Sequence, residues 1–280
     1  MTLAELIKAT ESRFRAARLH YGHGTHNARD EATFLVLRGL RLPFNSVLIK
    51  KITAQGQKKI ESLIRSRIEQ RIPVPYLLNE AWLADHAFYV DRRVIIPRSH
   101  IAELVAGRMR PWLKRPPKRV LDLCTGSGCL AILAAHAFPD AKVDAADWSR
   151  PALAVAKRNL AKHRLSKRVR LARSDLFAAL GGERYDLIVT NPPYVARATM
   201  RKLPPEYRYE PGMALAGGKN GMDLVKKIIE EAPQYLLPRG ALVCEIGDGR
   251  KALQRAFPEI DFVWPETAAG FGHVFVLQAP

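Results

Sequence analysis

The chain has 280 residues, 48% hydrophobic and 26% charged, which supplies a full core and argues against disorder. That length suits two domains, and no run of about 18 apolar residues is present to cross a membrane. The formal net charge of +18 favours a polyanionic partner and is silent about fold.

Residues 1 to about 72 read as helical. Leu3, Ile7, Thr10 and Phe14 recur at helical spacing. Glu5 and Glu11 interrupt this start, so it does not read as a secretory signal. A second pattern holds Phe34, Leu35, Leu37 and Leu40. A third runs from about Thr53 through Ile60, Leu63, Ile64 and Ile68, and Pro73 and Pro75 end it. Residues 1–75 carry 14 Lys and Arg against 6 Asp and Glu, the denser positive surface of the chain, and rRNA contact is expected there. Over 76–98 the strand formers Trp82, Phe88, Tyr89 and Val94-Ile95-Ile96 predict a β-hairpin linker.

From 99 to 280 strands alternate with helices. A helix is expected over 99–109. Strands are expected over 119–124, 142–148, 169–175, 185–190 and 241–246, with intervening helices that include a long one over about 221–237. Asp261 to Trp264 and His273 to Leu277 read as a final antiparallel pair. Such alternation implies a mostly parallel sheet, here expected to hold seven strands, with helices on both faces. Cys124, Cys129 and Cys244 make neither a disulfide framework nor a zinc pattern. The eight histidines show no metal spacing, so no metal is expected. The cytoplasm is the expected compartment.

The first strand of this alternation runs into Thr125-Gly126-Ser127-Gly128 and then a helix. Glycines there let the backbone approach a ligand, and the helix start offers unpaired N–H groups. Asp147 ends the next strand, where a carboxylate can accept both hydroxyl hydrogens of a ribose. Gly126-x-Gly128-x-x-Ala131 also fits a dinucleotide fingerprint, and a ligand-free turn is the bland alternative. Asp122, ending the first strand, tilts the choice toward S-adenosylmethionine. A carboxylate there suits an ammonium, or a water held by it, and opposes a pyrophosphate. Asp175, in Ser174-Asp175-Leu176-Phe177, can bond an adenine amine while Leu176 or Phe177 packs on the ring.

Asn191-Pro192-Pro193-Tyr194 directly follows the fourth strand. Methylating a planar amide or aromatic amine requires an NH₂ group aimed at a sulfonium methyl. The Asn191 side-chain oxygen and the Pro192 carbonyl can each accept one hydrogen. Two prolines stiffen the turn, and Tyr194 offers a flat face to the substrate. Catalysis by such a motif is positioning and polarisation, with no strong base needed.

Together these segments resemble the HemK-type glutamine methyltransferases of the class I S-adenosylmethionine-dependent enzymes, whose domain is Rossmann-like. The resemblance extends to Val94-Ile95-Ile96-Pro97-Arg98, Tyr209-Glu210-Pro211 and Gly217-Gly218-Lys219-Asn220-Gly221. Ser99-His100 after Arg98, and the loop Cys124-Thr125-Gly126-Ser127-Gly128-Cys129, depart from the release-factor branch. Both are similar to the branch that methylates the third protein of the large ribosomal subunit. The resemblance implies methyl transfer to the side-chain amide of a glutamine, the substrate being a ribosomal protein free or in an assembly intermediate. It implies cofactor contacts at the Cys124–Gly128 loop, Asp147, Leu176 and Asn191, and substrate contacts at Asn191 to Tyr194. Pro97 and Arg98 would sit at the mouth of the site. Cys124 replaces a commoner glycine, which is tolerable only if its φ is negative. A release-factor substrate, an exocyclic amine of a nucleic acid reached by base flipping, and a non-catalytic ribosome-binding scaffold are the competing readings.

Overall fold

The computed structural model describes residues 1–279. Helix α1 (Leu3–Ala16) starts with a capping box: Glu5 N–H donates to Thr2 Oγ1 while Thr2 N–H donates to Glu5. Asn27 caps α2 (Ala28–Gly39) and Thr53 caps α3 (Ala54–Glu69) from one side only, each side chain accepting a backbone N–H of the first turn. The three helices bury Leu3, Ile7, Phe14, Leu35, Leu37, Ile60 and Ile64 in one core. The prolines expected to end α3 lie beyond its last turn. Pro73 is the N-cap of a short helix, α4 (Val74–Leu78), and Pro75 lies in its first turn, where its missing N–H costs nothing. Strands β1 (Ala81–Leu83) and β2 (His86–Phe88) form the hairpin.

Helix α5 (Ile101–Ala106) leads to the main sheet. Its elements follow as β3 (Arg119–Leu123), α6 (Cys129–Ala137), β4 (Lys142–Asp147), α7 (Arg150–Lys162), β5 (Val169–Arg173) and β6 (Tyr185–Thr190). After a short helix α8 (Arg197–Met200) come α9 (Asp223–Glu231), β7 (Leu236–Glu245) and α10 (Arg250–Ala256). A two-residue hairpin of β8 (Glu266–Thr267) and β9 (Gly270–Phe271), then β10 (Val274–Gln278), complete the described chain. The sheet order is β10-β7-β6-β3-β4-β5, parallel except for the β10 edge. The central strands β3 and β6 are nearly all buried, because helices cover both faces, whereas the edge strand β5 carries Arg170 and Arg173 on its exposed positions.

The sheet has six strands among the described residues, not the expected seven. The segment around Asp261 to Trp264 reduces to one bridge, Val263 to Val276. Two residues on, Pro265 has no N–H to extend that pairing. The long helix expected over 221–237 is also shorter. It closes at Glu231, passes through a 3₁₀ turn containing Pro233, and gives way to β7 at Leu236. β7 therefore begins five residues before the expected strand. Its N-terminal part, with Pro238 and Gly240, pairs with β6 across a register shift between Tyr185 and Leu187.

β3 is the pivot of the topology. The chain moves outward through β4 and β5, then returns to the other side of β3 as β6. Ligand sites of open parallel sheets lie beyond the carboxyl ends of the strands at such a reversal. Leu123, the last residue of β3, is in register with Thr190, the last of β6, and Thr190 Oγ1 donates to the Leu123 carbonyl at 2.7 Å. The glycine loop and Asn-Pro-Pro-Tyr therefore leave the sheet side by side.

Candidate active site

The first wall is the loop after β3. Asp122 is buried beneath it. Its Oδ2 accepts from Thr125 Oγ1 at 2.5 Å and from the Ala131 N–H at 2.8 Å, tying the turn to the start of α6. Asp122 Oδ1 has no hydrogen-bond partner among the described residues, and burial pushes the carboxyl up to about 7. Asp122 thus braces the loop from below and does not line the cavity. Thr125, Ser127 and Gly128 are buried with it. Cys124 and Gly126 do face the cavity, and a Cβ built at Gly126 meets nothing within 4 Å.

Cys124 corrects an expectation. Its φ is +60°, in the left-handed region, where a side chain is strained, rather than the negative value anticipated for a non-glycine residue. Leu176, another cavity residue, is also left-handed at +45°. Burial pushes the Cys124 thiol up, so it stays neutral.

Asp147 forms the second wall. One of its oxygens accepts the Gly126 N–H and the other the Ser149 N–H, each at 2.8 Å. These bonds lock the carboxylate across the glycine loop and leave its other lone pairs toward a ligand. Burial raises its pKa. Asp175 is exposed at the rim, and Leu176 lines the cavity. Phe177 turns away and stacks on Tyr235, with ring centroids 4.5 Å apart.

The third wall is the turn after β6. Asn191 and Pro193 line the cavity, and no side-chain hydrogen bond holds the Asn191 carboxamide among the described residues. Pro192 is buried outside the lining. Tyr194 is anchored rather than free: its hydroxyl donates to Glu245 Oε1 at 3.0 Å. Glu245 is itself buried and accepts from Ser99 Oγ and His100 N–H through its other oxygen. Gly221 packs on the same turn, where a Cβ would lie 2.3 Å from the Tyr194 carbonyl oxygen.

Pro97 and Arg98 do not line the cavity either. Arg98 binds Glu210 with two guanidinium nitrogens, and the Ile96 N–H donates to the same carboxylate. Just before them Val94 and Ile95 line the cavity, and just after Glu210 so do Pro211 and Met213. The pair thus clamps the roof. Trp148, 54% exposed beside Asp147, was not singled out from sequence. An exposed aromatic after a strand-terminal acid was the available signal. Glu245 offered none, because its partners Tyr194, Ser99 and His100 stand 51 to 146 positions away.

The cavity enclosed by these walls is about 260 Å³. A family model described as "Methyltransferase small domain" matches residues 109–203, which contain both loops. The ribosomal protein uL3 glutamine methyltransferase of Bordetella pertussis is 50% identical over 99% of this chain and 94% of its own length. That of Bradyrhizobium diazoefficiens is 47% identical over 100% of this chain and 91% of its own. The chain belongs to this family of glutamine methyltransferases. A methyltransferase from Pyrococcus furiosus of known structure, 17% identical, shares the fold with a TM-score of 0.51 over 81% of this chain and 98% of its own. Family and fold imply S-adenosylmethionine as methyl donor. The cavity suits it: an open glycine face at Gly126, carboxylates at Asp147 and Asp175, and an apolar wall at Leu176.

Proposed function

We propose that the chain transfers a methyl group from S-adenosylmethionine to the side-chain amide nitrogen of a glutamine in ribosomal protein uL3. The observation that carries this reading is the presence of Gly126 and Asn191 in one cavity, on loops that leave neighbouring parallel strands. Bound there, the cofactor would supply an electrophilic methyl group. Cys124 to Gly128, Asp147, Asp175 and Leu176 would hold it, with Asp122 acting through the loop it braces.

The chain's own part is to orient the amide. Asn191 Oδ1 accepts one amide hydrogen and the Pro192 carbonyl the other, which fixes the nitrogen and raises its electron density. Pro193 and Tyr194 wall the planar group, and the bond to Glu245 keeps the Tyr194 ring in one place. Arg98 acts at one remove, by holding the Glu210 loop over the cavity, with Pro97 between it and Ile96, whose N–H donates to the same carboxylate. Residues 1–75 serve as the recognition domain, 76–98 as the linker and 99–280 as the methyltransferase domain. The separate core of the first three helices supports that division. A charge of +18 supports work on an RNA-rich assembly intermediate.

The test is transfer of labelled methyl to purified uL3, to large-subunit precursors, to a release factor and to DNA, with the label located by mass spectrometry. Label on a uL3 glutamine is expected. Label on the release factor overturns the substrate but keeps the chemistry, and label on nucleic acid overturns the substrate class.

A further inference from the structure

The carboxyl ends of the parallel strands hold the cavity. The opposite end of the sheet carries a groove of about 570 Å³ that the reaction does not use. Arg119, at the first position of β3, lines it, while Leu123 at the last position lines the methyl-transfer cavity. Four residues of strand rise separate them, about 13 Å.

The groove is strongly basic. Arg108, Arg110, Lys114, Arg115, Lys118 and Arg119 line it against two carboxylates, Asp140 and Asp186. Asp186 is largely occupied, since its Oδ2 accepts the N–H groups of Lys118 and Arg119. Arg115 reaches it only at 3.8 Å. Among the described residues Arg108, Arg110, Lys114 and Lys118 have no carboxylate within ion-pair distance, and all four are exposed. A second hollow shares Lys114 and Arg115 and adds Arg239, so the positive surface continues round the Lys114–Arg115 ridge.

The helical part contrasts with this. Many of its arginines are already consumed by carboxylates: Arg13 by Glu61, Arg15 and Arg29 by Glu11, Arg38 by Glu80, and Arg67 by Glu31 and Glu206. Its cationic density in sequence overstates its free positive charge. The groove keeps four of its cations free, in a concave strip where Arg108 to Lys118 lie on the segment between α5 and β3, and Arg119, at the start of β3, is paired with Glu183.

We infer that this groove binds the phosphate backbone of RNA, holding the enzyme by its back while the methyl-transfer cavity stays open to a polypeptide. Backbone binding by clustered, unpaired Lys and Arg needs no base readout and depends steeply on salt. Only the setting, RNA near a ribosomal protein, rests on the proposed function.

The test is binding of the full chain to a 20-base-pair RNA duplex across a salt series. The triple variant Arg110→Ala, Lys114→Ala, Lys118→Ala is compared with Lys50→Ala, Lys51→Ala, Lys58→Ala. The groove variant should bind about 10- to 100-fold more weakly near 100 mM salt, with a log–log salt slope smaller by about two to three. The other variant should stay within about threefold. The reverse pattern overturns the inference, and so does equal wild-type affinity for poly-glutamate, which would assign the groove to an acidic polypeptide. If the groove variant folds poorly, acetylation of the wild-type chain decides. RNA should shield Lys114 and Lys118 while Lys50 and Lys51 stay reactive, and shielding of the latter pair alone overturns the inference. Methylation of isolated uL3 should be unchanged in the groove variant. Absence of that activity from the wild-type chain would instead count against the proposed function.

Discussion

Arg98 and Glu210 lie 112 positions apart and meet in a two-pronged ion pair, with N···O distances of 2.5 and 2.7 Å. The Glu210 side chain is fully buried, and the Ile96 N–H is its other donor. One carboxylate therefore fastens the segment leading into α5 to the loop that roofs the cavity. Four residues before that carboxylate, Glu206 accepts the His20 N–H and an Arg67 nitrogen, fastening the same loop to the helical part.

Removing Arg98 should therefore do more than remove a charge. Arg98→Ala leaves Glu210 buried with a backbone donor only, which costs about 3–5 kcal/mol when a buried pair is broken. Denaturant unfolding should show that loss. Cofactor affinity should fall with it, because Pro211 and Met213 ride on the same loop. Arg98→Lys, a single-point cation, should recover only part. Unchanged stability in Arg98→Ala would remove the clamp.

Asn191→Ala should lower turnover by about 10²–10³, the cost of one oriented acceptor, while cofactor affinity stays within a few-fold. Single-turnover methyl transfer alongside calorimetric titration of the cofactor separates the two. Loss of cofactor binding with the turnover of the remaining complex intact would make Asn191 a cofactor ligand only.

The alternation of strands and helices in residues 99–280 and the order of the two loops were legible in sequence, because periodicity and glycine–proline punctuation are local. What failed was local in a different sense. β7 runs through Pro238 and Gly240, which read as breakers; a register shift against β6 accommodates them. Val263 pairs with Val276 at a single point, since Pro265 stops the ladder. Sequence places Asp122 and Arg98 at the site, and in the structure each of them braces a segment beside the cavity. Their partners, Thr125 with the Ala131 N–H and Glu210, decide that, and spacing alone does not reveal them.

His23 makes stability depend on pH. It is 1% exposed, neither ring nitrogen makes a hydrogen bond among the described residues, and burial pushes its pKa down to about 4 against the opposing pull of Glu210, 3.9 Å from Nε2. The unfolded chain holds that proton at an ordinary pKa of about 6.5. Between the two values the unfolded state binds more protons, so stability rises with pH there. The contribution is complete above about 6.5 and is lost as pH falls toward 4. The gap corresponds to about 3 kcal/mol. Urea melts of wild type and His23→Gln at pH 4.5 and 7 should show a much flatter dependence in the variant. Parallel curves would locate the acid sensitivity elsewhere.

Cys124 sits at φ +60° where the chain leaves β3, and its neutral thiol lines the cavity. An L-residue in that region costs about 1–2 kcal/mol, and glycine escapes most of the cost while adding entropy to the unfolded chain. Cys124→Gly should accordingly be neutral to about 1 kcal/mol stabilising, with cofactor affinity kept. Cys124→Val should do the opposite, because a β-branched side chain tolerates the left-handed region worst. Thermal unfolding of the two variants, read beside cofactor titration, orders them. If valine were as stable as glycine, the strain at this turn would be refuted and the residue's role would reduce to filling the cavity wall.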